Sequence, residues 1–572
     1  MRAPICWFSV AAFIFILIGS ADGQAPTSPG QRAQPQTQAK PGAPQAPARD
    51  TKVRQTGTAT IEGRVVSGDN GAPLRRARLV LSAAGLERPF YAATDGQGRY
   101  QFTDLPAGRY TLTVSKSGYV TLQYGQRRAF ESGKPIDLAD AAVLDKVDVT
   151  LPKGGVISGT VMDDLGEPVA LAHVTAFRSR FEQGKRKLAA IGREVETNDL
   201  GQYRLFGLQP GTYFVGTRPT PGPSQDGYPF APAYYPNTLN VAEAQPVTVR
   251  MGQEHGGINM VQPPGRLARL SGLVTDVSGR PVTNAYAAVV GLSSGYMLNT
   301  PVKADGSFSL QNIPPGEYGL AAMIVGPTPG DIRQTMIPLT VTGEDLSGFV
   351  LQMTPGSHVS GRIVTEDGTP PASSAAGVRV DPFPLESDVP VRIQNIGTQG
   401  IVKDDWTFEM NGITGTMLFR TRQLPAGYML KSVLLDGRDI TDTPIDIKGS
   451  GDVDSLQVVI TNRVTEVSGA VSDAKGQPVR EYAVVVFADE AARWKWPSRF
   501  LATARPDQQG RFKIANLPPG RYLAVALDYL EEGQSEDPDY LETLRASATR
   551  FALADGETKT LDLKVTRTEG AL

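Results

Sequence analysis

The chain has 572 residues, with 57 Lys and Arg against 59 Asp and Glu, three His and one Cys, which is Cys6. This length predicts about four domains at roughly 150 residues each. The balanced charge gives no basic field for nucleic acid, and the shortage of Cys and His argues against disulfide frameworks and Cys/His metal cages. No cofactor is predicted. The 61 Gly and 44 Pro, beside a hydrophobic fraction of 40%, indicate turn-rich domains with cores.

The amino-terminal residues predict export. Arg2 precedes an apolar run over residues 8–18, and small residues follow at 19–21. This is the layout of a secretory signal peptide over residues 1–21, since a membrane anchor needs about 20 apolar residues; a retained anchor stays the alternative. Residues 22–57 are rich in Pro, Gln and Ala, which predicts a disordered linker. We therefore expect a secreted or periplasmic protein of the bacterial cell envelope.

A repeated pattern organises the rest of the chain. Each copy has a Gly-x-Val-like opening, a Gly-x-Pro-Val-like segment, an aromatic strand and a Leu-Pro-x-Gly-x-Tyr-like turn. From the aromatic residue to the turn glycine the spacing is eight residues in four copies, at 100–108, 203–211, 308–316 and 512–520. A degenerate copy begins at Val359. The predicted modules are 58–152, 153–263, 264–354, 355–462 (the degenerate copy) and 463–572.

One repeat unit has the pattern of paired strands. Alternating apolar and polar residues predict half-buried strands, and Pro followed by Gly predicts the tight turns between them. Such strands every 8–12 residues are typical of a sandwich or barrel, so the fold class is all-β. One helix is predicted over residues 538–551, with Asp537 as N-cap and Leu541, Leu544 and Phe551 on one face.

With these motifs the modules resemble carboxypeptidase regulatory-like domains, of the kind repeated in acidobacterial proteins. The resemblance implies tandem Greek-key β-sandwiches of the transthyretin (prealbumin) type, in binding or structural roles. It implies no protease, because the zinc-binding catalytic domain is separate in that family. No His-x-x-Glu pair occurs at His173, His255 or His358.

Two patterns raise other chemistry. The sequence Gly291-Leu-Ser293-Ser-Gly295 matches a nucleophile elbow, but no helical pattern follows it. A Ser hydrolase is therefore only a remote alternative, and a turn is the favoured interpretation. Recurring turn aspartates are better explained by Asx turns than by calcium, which needs six to eight oxygen ligands. These aspartates are Asp95, Asp199, Asp305 and Asp507.

Aromatic clusters are the candidate ligand-binding residues. They lie in a Pro-rich loop of the second module and in the segment Arg493-Trp-Lys-Trp496 of the fifth, where two tryptophans share a face if the segment is extended. Exposed rings stack on sugars or bind proteins, whereas packing against the sandwich is the alternative. The candidates are Tyr228, Phe230, Tyr234, Tyr235, Trp494 and Trp496.

The sequence thus predicts a non-enzymatic array whose modules contact mainly their neighbours. We expect binding of polysaccharide or an envelope protein. The alternative is a purely structural stalk, or an accessory interaction module for an envelope enzyme or receptor. Nucleic acid is not expected as a partner, and membrane contact is expected only through the amino-terminal segment.

Overall fold

The structure is a computed structural model that describes residues 57–568, except 84–85, 87, 183, 219–229, 240–242, 264, 266, 292–296, 314, 326–331, 355, 386–399 and 448–450. The predicted signal peptide and almost all of the linker lie outside these residues. No helix in the described part of the chain has the length and hydropathy required to span a bilayer.

The first module pairs its opening strand with a later antiparallel strand and with parallel closing strands. Thus β1 lies between β4 and β8, with β9 beside its second half, while β2, β3, β5, β6 and β7 form the facing sheet. The strands of this module are β1 (Ala59–Ser67), β2 (Arg78–Ala83), β3 (Phe90–Ala93), β4 (Arg99–Leu105), β5 (Gly108–Ser115), β6 (Leu122–Gln123), β7 (Ile136–Leu138), β8 (Val143–Leu144) and β9 (Val149–Leu151).

The second and third modules repeat this plan. Their opening strands, β10 and β18, again lie between an antiparallel and a parallel partner. The second module contains β10 (Gly155–Met162), β11 (His173–Glu182), β12 (Lys185–Glu196), β13 (Gln202–Leu208), β14 (Gly211–Thr217), β15 (Val247–Val249), β16 (Glu254–His255) and β17 (Met260–Val261). The third contains β18 (Ala268–Asp276), β19 (Tyr286–Gly291), β20 (Met297–Pro301), β21 (Ser307–Ile313), β22 (Gly316–Val325), β23 (Ile332–Val341) and β24 (Leu346–Met353).

The fourth module follows the plan with extra strands on its first sheet. There the order is β28-β25-β33-β30-β31, opposite β27-β26-β29-β32. Its strands are β25 (Ser357–Val364), β26 (Arg379–Pro384), β27 (Gly400–Ile401), β28 (Thr407–Ile413), β29 (Gly415–Arg422), β30 (Met429–Leu435), β31 (Arg438–Asp439), β32 (Ile445–Ile447) and β33 (Val453–Thr461).

In the fifth module the two sheets are joined, because the closing strand β41 pairs with both β34 and β39. Its strands are β34 (Glu466–Ser472), β35 (Pro478–Val479), β36 (Ala483–Ala488), β37 (Leu501–Ala504), β38 (Arg511–Ala515), β39 (Gly520–Leu527), β40 (Thr549–Leu553) and β41 (Thr558–Thr566). Its helices are three 3-10 helices, Ala491–Trp494, Gln534–Glu536 and Arg545–Ser547, and the α-helix α1 (Pro538–Leu544).

Five hydrophobic cores follow one another along the chain, and each lies between the two sheets of one module. The fold class is therefore tandem β-sandwiches, as predicted. The exact module boundaries stay a prediction.

The opening glycine of every module is explained by a close approach of two strands. A Cβ on Gly63 would lie 2.2 Å from the carbonyl oxygen of Val147, and one on Gly469 would lie 1.8 Å from that of Leu561. Real Cβ atoms do not approach an oxygen this closely, so only glycine fits. The corresponding pairs elsewhere are Gly159 with Ile258, Gly272 with Phe349 and Gly361 with Leu456.

The aromatic residue opposite this glycine differs between modules whose closing strand is interrupted and modules whose closing strand is continuous. In the first module the hydroxyl of Tyr100 donates to the Val147 carbonyl, and the closing strand is interrupted there between β8 and β9. Tyr203 makes the same bond to Ile258 between β16 and β17. The later modules have phenylalanine at this position and an unbroken closing strand, at Phe308, Phe408 and Phe512.

The Leu-Pro-x-Gly-x-Tyr motif forms a hydrogen-bonded corner. Tyr110 donates to the Pro106 carbonyl at 2.7 Å, and Tyr522 donates to the Pro518 carbonyl at 2.6 Å. Both tyrosines are buried, so the bond satisfies a hydroxyl inside the core.

The predicted helix is shorter than expected. Asp537 caps α1 by accepting from the Asp539 N–H at 3.0 Å, as predicted, but α1 ends at Leu544. The prediction of a helix to residue 551 is wrong because Phe551 lies in β40, opposite Tyr522 of β39. The two rings stack at 5.7 Å, so the apolar spacing that suggested a helix face belongs partly to a strand.

The expectation that modules contact mainly their neighbours is also wrong, because the first module contacts the fifth. Glu131 and Arg505, both nearly fully buried, form an ion pair across 374 residues. Lys134 pairs with Glu481 at 2.7 Å. These residues belong to a loop over residues 126–134, here named the clasp loop, and to two turns of the fifth module.

The clasp loop contacts the second module as well. The guanidinium carbon of Arg178 lies 3.6 Å from the ring centroid of Phe130. The backbone N–H of Phe130 donates to Gln209 Oε1 at 2.7 Å. Arg178 in turn holds Glu531 of the fifth module through two bonds of 2.5 and 2.7 Å. The first, second and fifth modules therefore meet at one junction.

The tyrosine at this junction stays protonated. The Tyr529 hydroxyl donates to the Ala129 carbonyl at 2.8 Å, which ties the fifth module to the clasp loop. Burial, followed by the negative charge of Glu531, raises the pKa of Tyr529 to about 12. The hydroxyl therefore remains a donor throughout the physiological pH range.

The glycine constraint predicts the effect of a single methyl group. We expect Gly63→Ala to lower the free energy of unfolding by about 2–4 kcal/mol, because the closing strand must move away from the added Cβ. The control is Gly96→Ala, since a Cβ there meets nothing within 4 Å. Chemical denaturation followed by fluorescence measures both, and equal effects would contradict the explanation.

Candidate binding cleft

Two adjoining cavities lie at one end of the fifth module and share Arg493 and Pro519. The first, of about 510 Å³, lies within the fifth module, and the second, of about 430 Å³, lies between the fourth and fifth modules. We name the two together the binding cleft. Its charged lining residues are Lys431, Asp442, Glu490, Arg493, Arg499, Arg521, Asp555, Glu557 and Lys559.

Trp494 anchors the segment that carries Arg493 into the cleft. The 3-10 helix Ala491–Trp494 turns the tryptophan inwards, where it is 3% exposed and donates from Nε1 to the Ala488 carbonyl at 2.7 Å. Its ring packs edge-to-face on Phe487 with centroids 5.4 Å apart. Because the tryptophan is fixed inside, the preceding arginine is held at the surface.

Two arginines of the cleft lie over one aromatic ring. The guanidinium of Arg493 is 4.6 Å from the ring centroid of Phe500, and that of Arg499 is 5.1 Å from it. Arg493 also pairs with Glu490 at 3.0 Å. These cation–π contacts place both guanidinium groups at the wall of the second cavity.

Asp442 joins the fourth module to the fifth beneath the cleft. It accepts from Arg499 at 2.8 and 3.0 Å and from Arg420 of its own module at 3.2 Å. Burial lowers the pKa of the Arg420 guanidinium, and the Asp442 carboxylate opposes that effect. The wall between the modules is therefore a charged and directional contact.

The cleft combines planar polar groups with apolar surface. Arg, Asp and Glu side chains offer paired donors and acceptors, and the exposed ring of Pro519 offers a flat apolar edge. Such a surface suits a polyhydroxylated ligand whose vicinal hydroxyls bind side by side and whose ring carbons contact an apolar face.

The first module matches a known protein family. Residues 60–152 match the family model of the carboxypeptidase regulatory-like domain. The first module is similar to this domain. The later modules share the opening glycine, the aromatic strand and the parallel closing strand of the first module.

Solved structures with similar strand arrangements include two pilins. A streptococcal ancillary pilin is 12% identical, with 52% of this chain and 98% of that chain covered and a TM-score of 0.21. The minor pilin of Streptococcus agalactiae is 15% identical, with 36% and 96% covered and a TM-score of 0.20. A Pseudomonas aeruginosa protein proposed to bind carbohydrate is 16% identical, with 19% and 98% covered and a TM-score of 0.13. At these TM-scores the similarities support no functional argument.

No curated protein matches the chain by sequence.

The structure does not place the two tryptophans on one open face. Trp494 is buried, so its ring is packed in the core, which was the alternative to sugar stacking. Trp496 is half-buried and contacts Phe383 of the fourth module with ring centroids 5.8 Å apart. A Cβ on Gly184 of the second module would lie 3.0 Å from Trp496 Cβ. Trp496 therefore lies where the second, fourth and fifth modules meet.

The aromatic loop of the second module lies apart from the tryptophans in sequence and in its contacts. Phe230 and Tyr235 pack against the core of their own module, and Tyr234 lies 6.0 Å from Phe177 between ring centroids. Burial raises the pKa of the Tyr234 hydroxyl. Tyr228 lies outside the described residues. Ligand contact by these residues stays a prediction.

The turn carboxylates have local partners. Asp95 accepts from the backbone N–H groups of Gln97 and Arg99 at 2.9 and 2.8 Å, which is the geometry of an Asx turn. In the second module Asn198 takes this role and Asp199 does not. Among the described residues no group of three or more Asp, Glu, His or Cys is placed to hold a metal ion.

The elements of the hydrolase alternative are not brought together. Ser293 lies outside the described residues, and His358 lies 2.8 Å from Asn411, between its Nδ1 and the Asn411 Oδ1. That pair belongs to the fourth module. The catalytic alternative therefore gains no support from the described residues.

The sequence pattern pointed to the segment that carries Arg493 but not to the cleft residues Asp442, Arg499 and Phe500. Asp442 and Arg499 lie 57 residues apart on different modules. No local spacing connects them, and only the way the modules meet brings them to one wall.

Burial of Trp494 predicts a structural effect. We expect Trp494→Ala to lower the free energy of unfolding by about 3–5 kcal/mol, because a large buried side chain is lost. Lys495→Ala, at the exposed neighbouring position, is the control and should change stability little. Thermal and chemical denaturation measure both. A Trp494→Ala variant as stable as the parent would show that the ring is not part of the core.

Proposed function

We propose that the chain is a non-enzymatic, exported binding and scaffolding protein of the bacterial envelope, and that its binding cleft takes polysaccharide. The observation that carries the proposal is the cleft itself, in which the guanidinium groups of Arg493 and Arg499 contact the ring of Phe500 beside paired acids and an exposed proline. These groups match the alternating hydroxyl and apolar surfaces of a sugar ring.

Further support comes from the rest of the chain. The matched family is a regulatory-like domain, which agrees with a role other than catalysis. The signal-like segment over residues 1–21 favours export.

A purely structural scaffold is the second candidate, and the junction at the clasp loop favours it. The ion pairs of Glu131 with Arg505 and of Arg178 with Glu531 join modules that are distant in sequence. A buried ion pair often adds little net stability, so we propose that these pairs serve to fix one arrangement of the modules. A scaffold with a fixed shape needs such contacts whether or not the cleft binds a ligand.

A glycan array with neutral and acidic polysaccharides tests the proposal. We expect the purified chain to bind at least one glycan class and the variant Arg493→Ala to bind at least about tenfold more weakly. The control is Arg280→Ala, because Arg280 is also an exposed arginine with a nearby acidic partner, Asp276, but lies in the third module.

Binding to no glycan, or equal binding by both variants, would contradict the polysaccharide proposal. The structural scaffold would then be the remaining account. Denaturation curves of both variants confirm that a loss of binding is not a loss of folding.

A further inference from the structure

The second module has an exposed apolar surface where its turns meet. Leu165, Leu171 and Leu200 are 83%, 63% and 57% exposed. The turns that carry them are adjacent, because Val161 N–H donates to the Gly201 carbonyl at 2.8 Å and Leu171 N–H donates to the Thr197 carbonyl at 3.1 Å. We name residues 163–171 and 194–201 the leucine end.

The other repeats show that these leucines are not required by the fold. Counting from the shared turn glycines, the first, third and fifth modules have polar residues at all three positions. These are Asn70, Arg76 and Gln97, then Ser278, Asn284 and Asp305, then Lys475, Glu481 and Gln509. Leu171 has a positive φ of 59° and the equivalent Arg76 has a φ of 55°, so this backbone conformation belongs to the turn and does not depend on the side chain. Three exposed leucines at positions that are polar in these other modules therefore need an explanation outside the sandwich itself.

The equivalent surface of the fifth module is already an interface. Glu481 corresponds to Leu171, and Arg505 corresponds to Glu196. Glu481 binds Lys134 of the clasp loop at 2.7 Å, and Arg505 binds Glu131. This face of the fold therefore docks onto the first module within the chain.

The leucine end has an acidic rim. Asp164, Glu167, Glu196 and Asp199 are exposed, and the two turns contain no Lys or Arg. A surface that covers the three leucines must therefore offer apolar groups surrounded by positive charge.

The first module offers such a surface at its equivalent turns. Arg75, Arg76 and Arg78 are exposed, and Arg78 lies 5.6 Å from the ring centroid of Tyr91, which is itself 56% exposed. The neighbouring Asp69 is paired with Lys153 at 3.0 Å. We name residues 75–78 with Tyr91 the arginine end.

We propose that the leucine end of one molecule binds the arginine end of a second copy of this chain. The two ends are homologous surfaces of consecutive modules with opposite charge, and both are exposed. Because the contact joins two different surfaces, it is heterologous and continues from copy to copy, as an open assembly or a closed ring.

Sedimentation velocity of the full chain over a range of concentrations tests this proposal. We expect association that weakens as salt is raised from about 0.05 to 0.5 M, because exposed charges are screened over about 10 Å or less. The variant Leu165→Asn/Leu171→Asn/Leu200→Gln uses residues found at these positions in other repeats, and it should associate at least about tenfold more weakly.

Two further variants define the contact. Arg75→Glu/Arg76→Glu should weaken association by a similar factor. Leu239→Gln is the matched control, because Leu239 is 58% exposed in the same module but lies outside the leucine end, and it should associate like the parent. Association through the apolar residues 8–18 would persist in every variant.

Mixing the leucine variant with the arginine variant gives the decisive result. Each alone should be monomeric, whereas the mixture should form a one-to-one dimer and no larger species, since each partner retains one intact end. A monomeric parent chain at low salt, variants that associate like the parent, or a mixture that stays monomeric would each overturn the proposal. Circular dichroism confirms that the variants fold.

Discussion

The arrangement of the modules depends on a buried ion pair between Glu131 of the clasp loop and Arg505 of the fifth module. Leaving either charge unpaired in the interior would be costly, so the two side chains hold the first and fifth modules in one register. The backbone N–H groups of Arg127 and Arg128 also donate to Glu131, at 3.1 and 3.2 Å. This contact brings the second and fifth modules together around the loop and makes the chain a closed unit at this point.

The local motifs of each sandwich could be predicted from sequence because their causes are local. Gly63 must be glycine since Val147 passes 2.2 Å from its Cβ position, and Tyr110 returns to a carbonyl four residues earlier. The end of the helix could not be predicted, because the apolar spacing of Phe551 fits both a helix face and a strand. Phe551 lies in a strand because it pairs with Tyr522, which is distant in sequence.

The candidate site could be predicted only in part. The sequence predicted two tryptophan rings on one face of the segment from Arg493 to Trp496. A 3-10 turn instead buries Trp494 and leaves the preceding arginine as the surface group. Phe500 of the same module contacts that arginine, whereas Asp442, which binds Arg499, reaches the cleft only because the fourth module meets the fifth. The repeats thus share their cores and differ at their ends. The clasp contact uses such an end as an interface within the chain, and the proposed contact of the leucine end would use the equivalent surface between copies.

Zero-length carbodiimide cross-linking of the native chain tests the closed arrangement most directly. Lys134 Nζ and a Glu481 carboxylate oxygen are 2.7 Å apart across 347 residues, so we predict an isopeptide link between them in the monomer, identified by mass spectrometry. The exposed pair Lys403 and Glu409 is the internal control, since its atoms are 2.6 Å apart within one module. A monomer in which the control pair is linked and the Lys134–Glu481 pair is not would contradict the account.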